Sequence, residues 1–177
     1  MAKPNKVLNI LLYAVLAGYV VLMLDLLFFS RVYIVDGQFV PFRSLNYIPF
    51  FTISGYITGG NALLAISNVL GNIVLFIPCG IYVFLFSKKK NFIPCILLVM
   101  GLSLGVEAIQ YLFGLGSTDI DDLILNTIGG AVGILLCWFI QKCAKSEAAA
   151  KNTVAFLSSV IGIPLIGLSV LLIVANM

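Results

Sequence analysis

The sequence holds no histidine at all. That absence excludes Ser-His-Asp and Cys-His nucleophilic chemistry, and every zinc site built on imidazole. Charge is scarce too: only 10% of the 177 residues are Asp, Glu, Lys or Arg, against roughly 25% in a soluble domain. A formal net charge of +3 is too small and too dispersed for nucleic-acid binding. Cysteine is limited to Cys79, Cys95, Cys137 and Cys143, none in a Cys-x-x-Cys spacing. A disulfide framework is therefore not expected, and all four read as packing residues.

What fills the chain is apolar. Hydrophobic residues make up 62% of it and the mean hydropathy is +1.16. No water-soluble fold hides that much apolar surface, so the bilayer must act as part of the solvent. Five runs come near the ~20 residues that cross a hydrocarbon core: about 7–29, 62–86, 92–113, 120–140 and 153–174. Each should be a helix, because irregular backbone cannot face lipid and the alternating strands of a barrel are absent. The expectation is an all-α polytopic membrane protein, residues 1–177 forming a single membrane domain. A long aromatic-rich loop, Ser30 to Gly60, joins the first two spans. The first run exceeds a signal core of about 7–15 residues and reads as an uncleaved anchor. Gly101-x-x-x-Gly105 and Gly129-x-x-x-Gly133 offer two faces for close helix packing. Glu147 and Lys151, four apart, favour a short surface helix before the last span.

Basic residues suggest the orientation. With the N-terminus inside, the inner segments hold Lys3, Lys6, Lys88, Lys89, Lys90, Lys142, Lys145 and Lys151, and the outer ones only Arg31 and Arg43. By the positive-inside rule the N-terminus is cytoplasmic and the C-terminus extracellular. The acidic residues fall the other way: Asp25, Asp36, Glu107, Asp119, Asp121 and Asp122 lie outside or in the membrane. The loop carries Tyr33, Phe39, Phe42, Tyr47, Phe50, Phe51 and Tyr56. It reads either as a segment lying on the headgroups or as a lid over what the helices present.

At ~1.5 Å per residue, Asn68, Glu107 and Asn126 each lie roughly 6–9 Å below the outer ends of their helices. Asn68 with Asn72, Asp122 with Asn126, and Ser103 with Glu107 and Gln110 each share a helix face. Turned inward, these faces make a polar cleft open to the outside. A carboxylate at a helix centre costs about 2.5–3.5 kcal/mol to insert, and helix packing does not require it. Glu107 is accordingly the leading site residue. Its structural alternative is a carboxyl hydrogen-bonded to Asn126 or Gln110. The asparagines serve interhelical bonding as well as ligand contact. Asp119, Asp121 and Asp122 equally suit the start of a helix.

Four pieces, in order, resemble the VanZ-like family. They are Asn46-Tyr-Ile-Pro49-Phe50; Gly71-Asn72 through Phe76 and Pro78 to Gly80; Ser103 through Glu107 to Gln110; and Thr118-Asp119-Ile-Asp121-Asp122 through Asn126 to Gly129-Gly130. The likeness covers about residues 40–140. Many family members carry a basic residue just before the Asp-rich turn; here Gly116-Ser117-Thr118 stands there, leaving Arg43 as the nearest counter-charge. The resemblance implies the cytoplasmic membrane of a Gram-positive type bacterium and low-level resistance to lipoglycopeptides such as teicoplanin.

Two main functional readings follow. In the first, Glu107, Gln110, Asn126, Asn72, Asn68, Asp122, Arg43 and Asn46 bind an envelope lipid, a cell-wall precursor or a lipoglycopeptide. In the second, Glu107, Asp119, Asp121 and Asp122 serve a membrane enzyme that modifies an envelope lipid, with a divalent cation held by oxygen ligands as one version. No cofactor and no resident metal is assigned, and membrane lipids are the expected partners. A transporter is third, short of the discontinuous helices and clear inverted repeat that transporters show.

Overall fold

The computed structural model describes residues 5–29, 34–36 and 38–175; Arg31 and Tyr33 lie outside them. Five helices are long and apolar enough to cross a membrane: Lys6–Phe29, Ala62–Phe86, Phe92–Phe113, Ile120–Cys143 and Glu147–Leu171. The protein is an all-α polytopic membrane protein. It divides into two compact units, Met1–Asp25 with Leu136–Met177, and Leu26–Leu135.

The first unit pairs α1 (Lys6–Leu24) with α6 (Glu147–Ala175). The Asn5 side chain caps α1 by accepting from the Val7 N–H at 3.0 Å. At the same end the Asn5 N–H reaches Asn152 Oδ1, and Lys151 Nζ lies 5.4 Å over the Tyr13 ring. Further along, Val15 faces Gly162 and Ile166 faces Gly18, so the two helices run parallel. Helix α6 starts six residues earlier than the apolar run beginning at Thr153 suggests. Ser146 Oγ caps it by accepting from the Ala149 N–H, and no breaker separates Glu147-Ala-Ala-Ala-Lys151 from the span. The expected short connector helix is the first turns of the span itself. Cys143 is exposed, whereas Cys79, Cys95 and Cys137 are buried as packing residues should be.

The second unit is built on α3 (Ala62–Phe86), α4 (Phe92–Phe113) and the first part of α5 (Ile120–Cys143). Helices α3 and α4 form a hairpin closed by Lys90. Its ammonium donates to the carbonyls of Phe84 at 3.1 Å and Leu85 at 2.7 Å, the last acceptors an α-helix leaves open. Helices α3 and α5 meet backbone to backbone. A Cβ on Gly80 would stand 1.9 Å from the Gly130 carbonyl oxygen, and one on Gly129 2.2 Å from that of Ile73. Gly129-x-x-x-Gly133 is therefore a true packing face. Around Gly101 and Gly105 nothing lies within 4 Å, so the expected second face has no partner among the described residues.

The largest departure from expectation is in residues 30–60. The segment carries β1 (Ile34–Val35), β2 (Gln38–Phe39), β3 (Phe42–Asn46) and α2 (Phe51–Thr58). Strand β3 pairs in parallel with β4 (Leu115–Asp119), in the register Phe42 opposite Leu115 through Asn46 opposite Asp119. Helix α4 ends in the left-handed Gly114 (φ 67°), where a Cβ would press within 2.8 Å of Pro41. That turn delivers β4 alongside β3. Periodicity could not reveal a strand of five residues whose partner lies some seventy positions away.

Candidate binding site

The site forms where α3, α4 and α5 meet below the β3–β4 pair. Glu107, Asp119, Asp121 and Asp122 are all buried, Glu107 at 5% and Asp121 at 1% exposure. Asn72, Ser103, Gln110 and Asn126 are buried with them.

Spacing explains the gathering. Ser103, Glu107 and Gln110 recur at the helical repeat and put one polar stripe of α4 inward, and Asp122 and Asn126 do the same on α5. Across the helices, Asn72 Nδ2 donates to Asp122 Oδ1, joining α3 to α5. Asn126 Nδ2 donates to Ser103 Oγ at 3.0 Å, joining α5 to α4. Glu107 Oε2 accepts the Asp119 N–H at 3.0 Å, and the Glu107 carbonyl accepts from the Thr118 hydroxyl at 3.2 Å. Glu107 thus fixes the turn into α5 as well as facing the cluster. Gln110 Nε2 donates to the Leu27 carbonyl at 2.8 Å.

Asp119 and Asp121 hold the outer segment down. Asp119 Oδ1 accepts from Asn46 Nδ2 at 3.0 Å and from the Asp121 N–H at 2.9 Å. Asp119 Oδ2 accepts from the Thr52 hydroxyl, and Asp121 Oδ1 from the Phe50 N–H. Asn46 Oδ1 takes the Ile48 N–H at 3.1 Å, an Asx turn that starts the Tyr47–Phe50 bend. Phe50 sits at φ 63°, a conformation a bulky residue adopts only when its surroundings impose it. Thr52 and the Phe50 amide were not legible as site groups, because their partners are 67 and 71 positions distant.

Not every expected residue joins. Arg43 is exposed and donates to the carbonyls of Tyr111 at 3.1 Å and Leu112 at 3.0 Å. It closes the C-terminal end of α4, where a cation suits the helix dipole, instead of neutralising the Asp-rich turn. Asn68 is half-buried, and its Oδ1 accepts no hydrogen bond from the described residues. Among those residues, no three of Asp, Glu, Cys and His converge as metal ligands.

No lysine or arginine is buried among the described residues. Burying a carboxylate inside a membrane costs several kcal/mol, and helix packing by itself calls for none of the four buried here. A multi-span membrane protein with a carboxylate–amide cluster set into one end of its helical core is the class this arrangement defines. The family can be stated as well: the chain belongs to the VanZ/LLP1 family, whose model matches residues 11–141. Protein VanZ of Enterococcus faecium is 34% identical to it over 129 residues, which cover 72% of this chain and 74% of that protein. No solved structure matches the chain.

Proposed function

We propose that the chain is a binding protein of the bacterial cytoplasmic membrane, with its polar cluster facing the extracytoplasmic side. It holds a polar group of an envelope lipid, a cell-wall precursor or a lipoglycopeptide, and so contributes to low-level teicoplanin-type resistance. The observation that carries this reading is the burial of Asn72, Glu107, Asp122 and Asn126, with the Asn72–Asp122 and Asn126–Ser103 bonds joining three spans by buried polar side chains. Membership in the VanZ/LLP1 family supports the resistance role. The eight lysines against two arginines support a cytoplasmic N-terminus with the β3–β4 end outside. The binding reading is supported over the enzymatic alternative by the partners of the carboxylates, which are chiefly amide and backbone N–H groups.

Glu107→Gln is the informative substitution. The amide oxygen can still take the Asp119 N–H, so the fold stands while the carboxyl goes. In a sensitive host, the variant is expected to express and melt like the parent but to confer only part of its protection. Purified parent that holds neither teicoplanin nor any envelope lipid above background overturns the proposal. The orientation has its own check. A membrane-impermeant maleimide is expected to label Ser44→Cys in intact cells and to label Lys89→Cys only after lysis; the reverse pattern refutes the topology.

A further inference from the structure

The cluster is unbalanced in one direction. Gln110 Oε1, Asp121 Oδ2, Asn126 Oδ1 and Asn68 Oδ1 are buried acceptors with no donor among the described residues. The amide nitrogens of Asn46, Asn72, Gln110 and Asn126 all donate. For Gln110 the orientation is dictated by chemistry: the Leu27 carbonyl can only accept, so the nitrogen must face it and the oxygen must be left over. The same holds for Asp121, whose second carboxylate oxygen has nothing to give. Gln110 and Asp121 are 0% and 1% exposed, so bulk water does not supply the missing donors in this conformation. The site is short of donors and of positive charge together.

We infer that the group this cluster takes is a primary ammonium, on a lipid headgroup or on a free amine. The inference rests on the binding role proposed above and names the chemistry of its ligand. An ammonium brings N–H donors, which the unpartnered Gln110 and Asp121 oxygens lack, and a positive charge, which no buried base supplies to the buried carboxylates. A phosphate or sulfate adds acceptors and negative charge where both are already in excess. A quaternary ammonium carries the charge without a donor, and a neutral hydroxyl the donor without the charge.

The test uses the full chain in detergent, with lipid retention read by native mass spectrometry. Phosphatidylethanolamine, phosphatidylcholine and phosphatidylglycerol are compared at matched acyl chains. Phosphatidylethanolamine is expected to bind about tenfold or more tighter than the other two, as loss of charged hydrogen bonds would dictate. Asp121→Asn keeps an oxygen for the Phe50 N–H; it is expected to erase that preference, so that phosphatidylethanolamine binds no tighter than phosphatidylcholine. Should the variant fail to fold, the wild-type series decides alone. Displacement by soluble ethanolamine supports the inference and assigns a free amine; retention against ethanolamine supports it and assigns a lipid-borne one. Equal binding of all three lipids, lost in Glu107→Gln, overturns the ammonium inference and leaves the binding site standing. No retention of any lipid or of ethanolamine overturns both.

Discussion

Gly129→Ala is expected to leave little or no folded protein, and Gly80→Ala likewise. Each new methyl would overlap a carbonyl oxygen of the facing helix, at 2.2 Å and 1.9 Å respectively. Both obstacles are backbone, which cannot rotate away as a side chain does. Overpacking of side chains alone costs about 1–3 kcal/mol. Here α3 and α5 would have to separate, also parting Asn72 from Asp122. Total stability is only about 5–15 kcal/mol for an ordinary domain, and a clash with backbone that parts two helices consumes much or all of it. Gly101→Ala and Gly105→Ala make the control, because nothing lies within 4 Å of either methyl. Those two should be neutral or slightly stabilising, since alanine is the better helix former by about 1 kcal/mol. Thermal melting and size-exclusion profiles of the four proteins decide the matter. Equal stability across the set would mean that α3 and α5 do not approach by backbone.

The second large effect is local. Asp119→Ala removes the acceptor of Asn46 Nδ2, of the Thr52 hydroxyl and of the Asp121 N–H at once. Hydrogen bonds to a charged group contribute about 1.5–3 kcal/mol each, and three share this carboxylate. A loss of about 4 kcal/mol or more is expected to fall on the segment from β3 to α2, whose exposed Tyr47, Phe50 and Phe51 contribute little burial of their own. Hydrogen exchange should rise across residues 42–58 while α3 and α5 keep their protection. Asp119→Asn should show an intermediate effect, because its amide retains one acceptor and turns a donor toward other donors. Uniform exchange in parent and variant would remove Asp119 from this fastening role.

The five spans were legible because hydropathy and length decide them, and neither depends on tertiary partners. The inward faces of α4 and α5 were legible for a similar reason: polar residues at helical spacing inside an apolar run have few places to point. Arg43 shows where this logic stops. Topology put it near the carboxylates, but the open carbonyls of Tyr111 and Leu112 were nearer claimants, and a sequence does not display unsatisfied carbonyls. The fastening of Thr52 and Phe50 escaped for want of any local signature. Its partners become neighbours only after two helices have crossed and returned. The start of α6 was misjudged from hydropathy alone, which marks where lipid begins and not where a capped helix starts.

The parallel pairing of residues 42–46 with 115–119 sets an order of assembly. As the chain is made, the earlier strand emerges with its hydrogen-bonding edge unmatched, and its complement follows only after α3 and α4 are complete. Joining such distant stretches carries a closure cost that is repaid only once both are in place. The ribbon is therefore the late seal on a scaffold already threaded through the bilayer. A chain stopped before residue 115 would keep its first three spans and lack the means to fasten its aromatic segment.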